Sequence, residues 1–549
     1  MGGQMTAQVP DKWSCESDAI WKGDATSDHL GHHLSSGDWD GDGLDDILSG
    51  SIDEAADLGS ATLMLSAHID GAAHVESSCF RIEGLAAPDW GVPVAFTGDF
   101  NGGGKDDIAV GEPGWRFDVG SGDTQYERGR VLVFFAEKHE TCTDLTPADA
   151  DLIFEGDEAR RWFGASIDAA GDIDGDGTPD LIIGAPGDPD SRVPIDGGKA
   201  YIYTSATAMV QWMTQGSPTV FQCIGCDYEL PPTSETYPIG IKDRYGFTVA
   251  GAGDVNGDGY DDVAVGAIQA RHISKLDYAA EDSGYALLYL NPTQPGVVLS
   301  SVPDLPLVTV SPTLDVQMTG DPFLFGFSIC GNVDLNADNR PDVLVGSPLY
   351  IDTSSGPGVS NDAGNRGAVY AYTIATDDSV SAAYGLDSQP LMFNTPDDDI
   401  QPFPAEIDGR VDAYFGWSLA PAGQFNAGED FPLIFEDFLV GAPRLNNEAE
   451  VPSPCDDGEP TGGAISGRVY VISGANPALM TSDFPRRLFI FRGEAGEEDG
   501  RARLGIAVAS GHVLNTGRLD QILGASGYTE ISSTITETGR VYLFEEFKP

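Results

Sequence analysis

The chain has 549 residues, 41% of them hydrophobic, enough apolar content to bury a substantial core rather than remain disordered. Its 87 acidic residues against 29 basic ones give a formal charge of −58. Such a surface repels nucleic-acid phosphates and anionic membranes and attracts cations, so neither nucleic acid nor an anionic bilayer is an expected partner.

Residues 1–18 read as an N-terminal tail. Ala19-Ile20-Trp21-Lys22-Gly23-Asp24 is a short apolar strand pattern standing before any repeat. From there the chain repeats one frame: an aromatic-Gly pair, a short strand, an aspartate-rich loop, a second strand ending in Gly-Ala-Pro or similar, then Gly-x-apolar-Tyr. Seven copies run at about 29–80, 90–150, 162–222, 245–310, 325–393, 415–491 and 504–544. The aspartates that close each loop are Asp46, Asp107, Asp180, Asp262, Asp342, Asp437 and Asp520, 61 to 95 positions apart. Each unit is therefore large enough for a small sheet with long loops.

The apolar runs are short, rich in β-branched residues and bounded by Gly and Pro, which predicts strands buried on both faces. Seven such sheets close into a β-propeller of four-stranded antiparallel blades. The last copy stops after Val541-Tyr542-Leu543-Phe544, one strand short. Residues 19–24 are expected to supply that strand and complete blade seven, protecting an otherwise bare sheet edge.

Five loops carry the pattern of a calcium site, because calcium takes six to eight oxygens in adaptable geometry. In the first, Asp38, Asp40, Asp42 and Asp46 converge with the Leu44 carbonyl. The second keeps Asp99, Asn101, Asp107 and the Lys105 carbonyl, but Gly103 stands where an aspartate belongs, so water and weaker binding are expected there. The third has Asp172, Asp174, Asp176, Asp180 and the Thr178 carbonyl; the fourth has Asp254, Asn256, Asp258, Asp262 and the Tyr260 carbonyl. The fifth has Asp334, Asn336, Asp338, Asp342 and the Arg340 carbonyl, with Ala337 and Asn339 in place of loop glycines. Copies six and seven keep little beyond Asp437 and Asp520 and are expected to hold no ion. An EF-hand would need flanking helices and a glutamate at its twelfth position; here a strand follows the ninth.

The phenylalanine-glycine and Gly-Ala-Pro frame around these loops resembles the FG-GAP repeats of the integrin alpha-subunit head, a seven-bladed propeller. The resemblance runs from about residue 19 to 544. It implies a calcium-binding, non-enzymatic module of a secreted or cell-surface protein, acting in adhesion or protein interaction. Similar repeats in lectins make a carbohydrate-binding propeller the alternative, with a hydrolase third.

Strand alternation puts the calcium loops on one face and the loops after Gly-Ala-Pro on the other. The long loops 112–128, 267–283, 347–366 and 443–466 therefore share the opposite face, where Trp115, Tyr126, Tyr278 and Tyr350 are candidate contacts to a protein or glycan ligand. In integrin heads the corresponding face meets partner and ligand. Arg161, Arg244, Arg410 and Arg503 precede aromatic-Gly pairs and are expected to form local ion pairs. The aromatics of those pairs are expected in the core between blades. The seven cysteines, scattered along the chain, fit a few disulfides with one thiol left over. No nucleophile elbow, zinc-binding helix or phosphate loop marks an enzyme, and no apolar run reaches the roughly 20 residues of a membrane span.

Overall fold

A computed structural model describes the chain from Asp11 to Glu545, apart from residues 24–28, 54–57, 70–77, 87–90, 119–123, 126, 157, 188–197, 206–207, 210–218, 223–227, 231–243, 269–283, 291–323, 336, 350–366, 375–379, 382–390, 395–413, 426–435, 445–466, 473, 475–486, 494–502 and 527–538. Tyr126, Tyr278, Tyr350, Asn336 and Arg410 lie outside the described residues. The fold is a nearly all-β ring of seven antiparallel blades.

Blade one shows the plan: His33–Gly37, Asp46–Asp53, Leu58–Met64 and Phe80–Leu85 pair antiparallel in chain order. The second strand of each blade from two to seven is buried along its length, as in Asp180–Ala185 and Asp437–Ala442, because neighbouring blades cover both of its faces. The apolar runs Leu181-Ile182-Ile183 and Phe438-Leu439-Val440 follow from that demand. Blade seven is completed as expected, with Ala19 opposite Leu543 and Lys22 opposite Arg540.

Among the described residues, two blades carry an additional outer strand running parallel to the fourth. Thr219–Gln222 lies beside Leu152–Glu155 of blade two, and Asp11–Trp13 lies beside Arg487–Arg492 of blade six. Both cover edges that would otherwise offer unpaired backbone groups.

The core is a ring of inter-blade clusters. One joins Ala109, Val131 and Phe154 of blade two to Phe163, Leu181 and Tyr201 of blade three. Another closes the circle, joining Trp21, Ile522 and Val541 of blade seven to Leu30, Ile47 and Met64 of blade one. Parallel bridges mark the same junctions, from Gly129 with Phe163 round to Gly539 with Leu30. Phe163, Tyr245, Phe325 and Phe415 are buried at these junctions, as expected of core residues.

The two glycines of the frame explain each other. A Cβ on Gly184, at the end of the second strand of blade three, would lie 2.1 Å from the carbonyl oxygen of Gly246 in blade four. The same clash with a glycine carbonyl, at 2.1–2.3 Å, recurs at Gly111, Gly266, Gly346, Gly441 and Gly524, while Gly50 meets the Val92 carbonyl at 1.9 Å. Only a residue without a side chain lets the blades approach this closely. Ser166, Ser328 and Ser418 fasten the same seam by donating their hydroxyls to the carbonyls of Gly246, Gly416 and Gly505.

Cys79 and Cys142 form a disulfide that ties the outer strand of blade one to the turn between strands three and four of blade two. Cys330 is a free, buried thiol.

Candidate metal-binding loops

Each acidic loop joins the first and second strands of its blade, and its first aspartate organises it. In blade one, Asp38 Oδ1 accepts from the amides of Gly41 (2.8 Å) and Asp42 (3.1 Å), and Oδ2 accepts from Gly43 (2.9 Å). In blade three, Asp172 accepts from Gly175, Asp176 and Gly177 at 2.8, 3.0 and 2.9 Å. Asp254 does the same for Gly257, Asp258 and Gly259. These bonds wind the chain tightly, so alternate side chains face one point.

In blades one and three the structure brings three of the four expected aspartates together, leaving the closing Asp46 and Asp180 outside the cluster. Asp38, Asp40 and Asp42, and likewise Asp172, Asp174 and Asp176, offer carboxylate oxygens within 4.8 Å of one another. Blade four adds Asn256 Nδ2 donating to Asp258 Oδ2 at 3.1 Å. Blade five winds in the same way, with Asp334 accepting from Asp338 and Asn339 at 3.2 and 2.9 Å. Ala337 and Asn339 there adopt φ of 61° and 64°, the left-handed region that the other loops give to glycine. Asparagine tolerates it, and alanine occupies it at a cost of about 1 kcal/mol. Arg340 lies 3.6 Å from Asp338 Oδ2.

The closing aspartates have a second task. Asp46, Asp107 and Asp180 are fully buried. Their Oδ1 atoms accept from Ser66, Ala136 and Ser205 at 2.8, 3.0 and 2.9 Å, in the turns between strands three and four. Their Oδ2 atoms accept from Trp39, Asn101 and Ile173 within the acidic loop. Each therefore ties two loops of the same face together. Asp437 keeps such a bond to Gly474 without the rest of the acidic set, so this aspartate serves the fold in blades with and without a ligand cluster.

Burial drives the carboxyls of Asp46, Asp107 and Asp180 up to about 7, 8 and 8. Neighbouring carboxylates (Asp40, then Glu137 and Asp99, then Asp174 and Asp176) push the same way against the amide bonds. A cation at the convergence point would reverse that penalty. The donor set is all oxygen, hard and acidic, which suits calcium far better than zinc or copper.

One feature of these loops has no repeat signature in the sequence reading. The residue before the closing aspartate reaches the preceding blade. Asp106, Asp261 and Glu436 accept from the amides of Asp38, Asp172 and Asp334 at 2.9, 2.8 and 2.9 Å. Asp45 accepts from His512 at 2.7 Å, joining blade one to blade seven. These acids are latches between blades, and their alternation with Pro179, Pro341 and Leu519 hides them from a search for repeats.

The opposite face is differently furnished. The residues after the aromatic-Gly pairs form a part-exposed arc: Phe247 and Phe327 have ring centroids 5.3 Å apart, Phe327 and Trp417 4.5 Å, and Tyr414 stacks on Trp417 at 5.7 Å. Arg444 lies 4.8 Å over the Tyr414 ring. Trp115, a sequence candidate on this face, is half-buried beneath the Arg130 guanidinium at 4.9 Å. Arg161 forms its expected local ion pair, with Glu158 at 2.7 Å.

Comparison with known proteins agrees with this geometry. A family model described as the FG-GAP repeat matches residues 163–203 and 245–285. The chain carries FG-GAP repeats and is similar to integrin alpha subunits over part of its length. It is 30% identical over 256 residues to integrin alpha-PS2 of Drosophila melanogaster, a match covering 46% of this chain and 15% of that one. It is 27% identical over 232 residues to integrin alpha-8 of Mus musculus (41% and 18%) and 30% identical over 251 residues to integrin alpha ina-1 of Caenorhabditis elegans (43% and 19%). The chain thus spans less than a fifth of the length of these relatives. A solved structure titled as the Dos1 propeller aligns over 96% of this chain and 98% of its own at 10% identity and a TM-score of 0.39, too slight a likeness to argue from. No helix among the described residues is long and apolar enough to cross a membrane.

Proposed function

We propose that this propeller is a calcium-stabilised binding module of a secreted or cell-surface protein, acting in adhesion or protein interaction and performing no catalysis. The observation that carries the reading is the division of labour between faces. The acidic loops are wound by their own amides, tied to the adjacent turns and latched between blades, as fasteners are. The aromatic arc of Phe247, Phe327, Tyr414 and Trp417 on the other face is part-exposed, its rings packed on one another across blades four to six. Aromatic side chains on a rigid frame are strong anchors for a protein partner. The sequence similarity to integrin alpha subunits supports the adhesion role, and about five calcium ions would occupy blades one to five.

The test pairs a panel of extracellular proteins and a glycan array with two variants. Wild type should bind a protein ligand, Trp417→Ala should weaken that binding at least tenfold with an unchanged melt, and Asp176→Ala should lower the melt with little effect on affinity. Binding to sugars alone would favour the lectin alternative instead.

A further inference from the structure

The second loop has Gly103 where blades one and three place Asp42 and Asp176, and the structure shows what fills the gap. A Cβ on Gly103 would lie 1.9 Å from Glu137 Oε1. Glu137 belongs to the short Ala136–Lys138 turn between strands three and four of the same blade. Its carboxylate therefore occupies the space that an aspartate side chain takes in the other loops.

We propose that Glu137 is the missing carboxylate ligand of the blade-two calcium site, completing it with Asp99, Asn101, Asp107 and the Lys105 carbonyl; this rests on the calcium reading above. Three observations converge. Glu137 Oε1 is buried and has no hydrogen-bond partner among the described residues, an unpaired acceptor aimed at the loop. Asn101 Nδ2 donates to Glu137 Oε2 at 2.9 Å and to Asp107 Oδ1 at 3.3 Å, so one amide nitrogen sits between two carboxylates as a cation would. The chain's own repeats supply the third. In sequence, the residue following the amide donor to the closing aspartate is Ala67 in blade one and Ala206 in blade three, repeats whose loops have their own fifth-position aspartate. In blade two, where the loop lacks one, it is Glu137.

The turn is held well enough to make Glu137 a fixed ligand. The amides of Ala136 and Phe135 donate to Asp107 and Asp151. Asp151 also pairs with Lys138 at 2.6 Å and His139 at 3.2 Å. The Cys79–Cys142 disulfide anchors the segment that follows. With Glu137 the site has three carboxylates and one asparagine, the same complement as Asp254, Asn256, Asp258 and Asp262 in blade four. It becomes a full site rather than a water-filled, weak one.

The decisive experiment counts Ca²⁺ bound per chain by equilibrium dialysis and elemental analysis of the full-length protein. Wild type should bind five ions, and Glu137→Ala and Glu137→Gln four, or five with the weakest at least tenfold weaker. Glu137→Ala combined with Gly103→Asp should restore the fifth ion, because the new side chain enters the vacated space. Gly103→Asp alone should destabilise the fold. Asp176→Ala is the control and should also lose one ion. If both Glu137 variants keep wild-type number and affinity while Asp176→Ala loses an ion, the proposal is overturned. If Asp176→Ala loses none, the calcium reading itself fails.

Discussion

The amide of Asp172 in blade three donates to Asp261 Oδ2 of blade four at 2.8 Å, and the amide of Asp261 returns to the Asp172 carbonyl at 3.2 Å. This reciprocal pair recurs between Asp38 and Asp106, Asp334 and Glu436, and His512 and Asp45. At the three junctions between, Pro179, Pro341 and Leu519 pack against Gly98, Gly253 and Gly423 instead. The ring is therefore joined alternately by acids and by apolar contacts, with two acidic junctions meeting at blade one because seven is odd. Asp261→Ala should cost about 1–2 kcal/mol by leaving the Asp172 amide without its charged acceptor. Pro179→Ala, which breaks no such bond, should cost less, and urea denaturation of both variants measures the difference.

The seam of paired glycines makes a sharper demand. Gly184→Ala should lower the melting temperature markedly, by roughly 2–3 kcal/mol or more of stability, since its Cβ meets the Gly246 carbonyl at 2.1 Å and backbone cannot yield cheaply. Gly177→Ala meets nothing within 4 Å and suffers only its φ of 89°, so about 1 kcal/mol is expected. Similar melts for the two would show that the blades can part to make room.

Asp168 on the first strand of blade three accepts from the amides of Gly251 and Ala169 at 3.1 and 3.0 Å. Burial outweighs these bonds and raises its carboxyl to about 6. A folded-state value above the unfolded one means the native state holds the proton more tightly, so stability from this group is lost as pH rises from about 4 through 6. The loss is on the order of 3 kcal/mol. Asp168→Asn should therefore gain stability over wild type at pH 8 relative to pH 4.5, read as the difference between their melting temperatures. A difference independent of pH would show that the carboxyl ionises without cost.

The Cys79–Cys142 bridge closes a 63-residue separation between blades one and two. Replacing both cysteines by serine should cost about 2–4 kcal/mol and should loosen the blade-two turn more than the distant blade five. Hydrogen exchange of Phe135 and Ala136 against that of Val343 and Leu344 would resolve the two effects.

The repeat frame was legible in the sequence because close packing leaves few choices: Gly184 and Gly246 must both lack side chains, and Ile182 must be apolar on a strand covered from both sides. The acidic loops were legible for the same reason, since Asp172 has to accept several amides at once. What escaped the sequence is made by partners distant along the chain. Asp261 reads as one more acidic residue until blade three is beside it. Asp11–Trp13 lacks the alternation of a strand, because it pairs on an outer edge. Phe247, Phe327 and Trp417 follow the conspicuous aromatic-Gly pairs and form an arc only when blades four to six are set side by side. Glu137 was hidden because its loop lies 34 positions beyond Gly103.

The most direct measurement of the central claim is the thermal melt of the full-length protein in calcium and after exhaustive chelation. If the acidic loops are calcium-held fasteners, chelation should lower the melting temperature by about 10 °C or more, and calcium should restore it, as ligand that binds only the native state requires. An identical melt in millimolar calcium and in excess EGTA would contradict the account, leaving the loops as self-sufficient turns wound by their own amides.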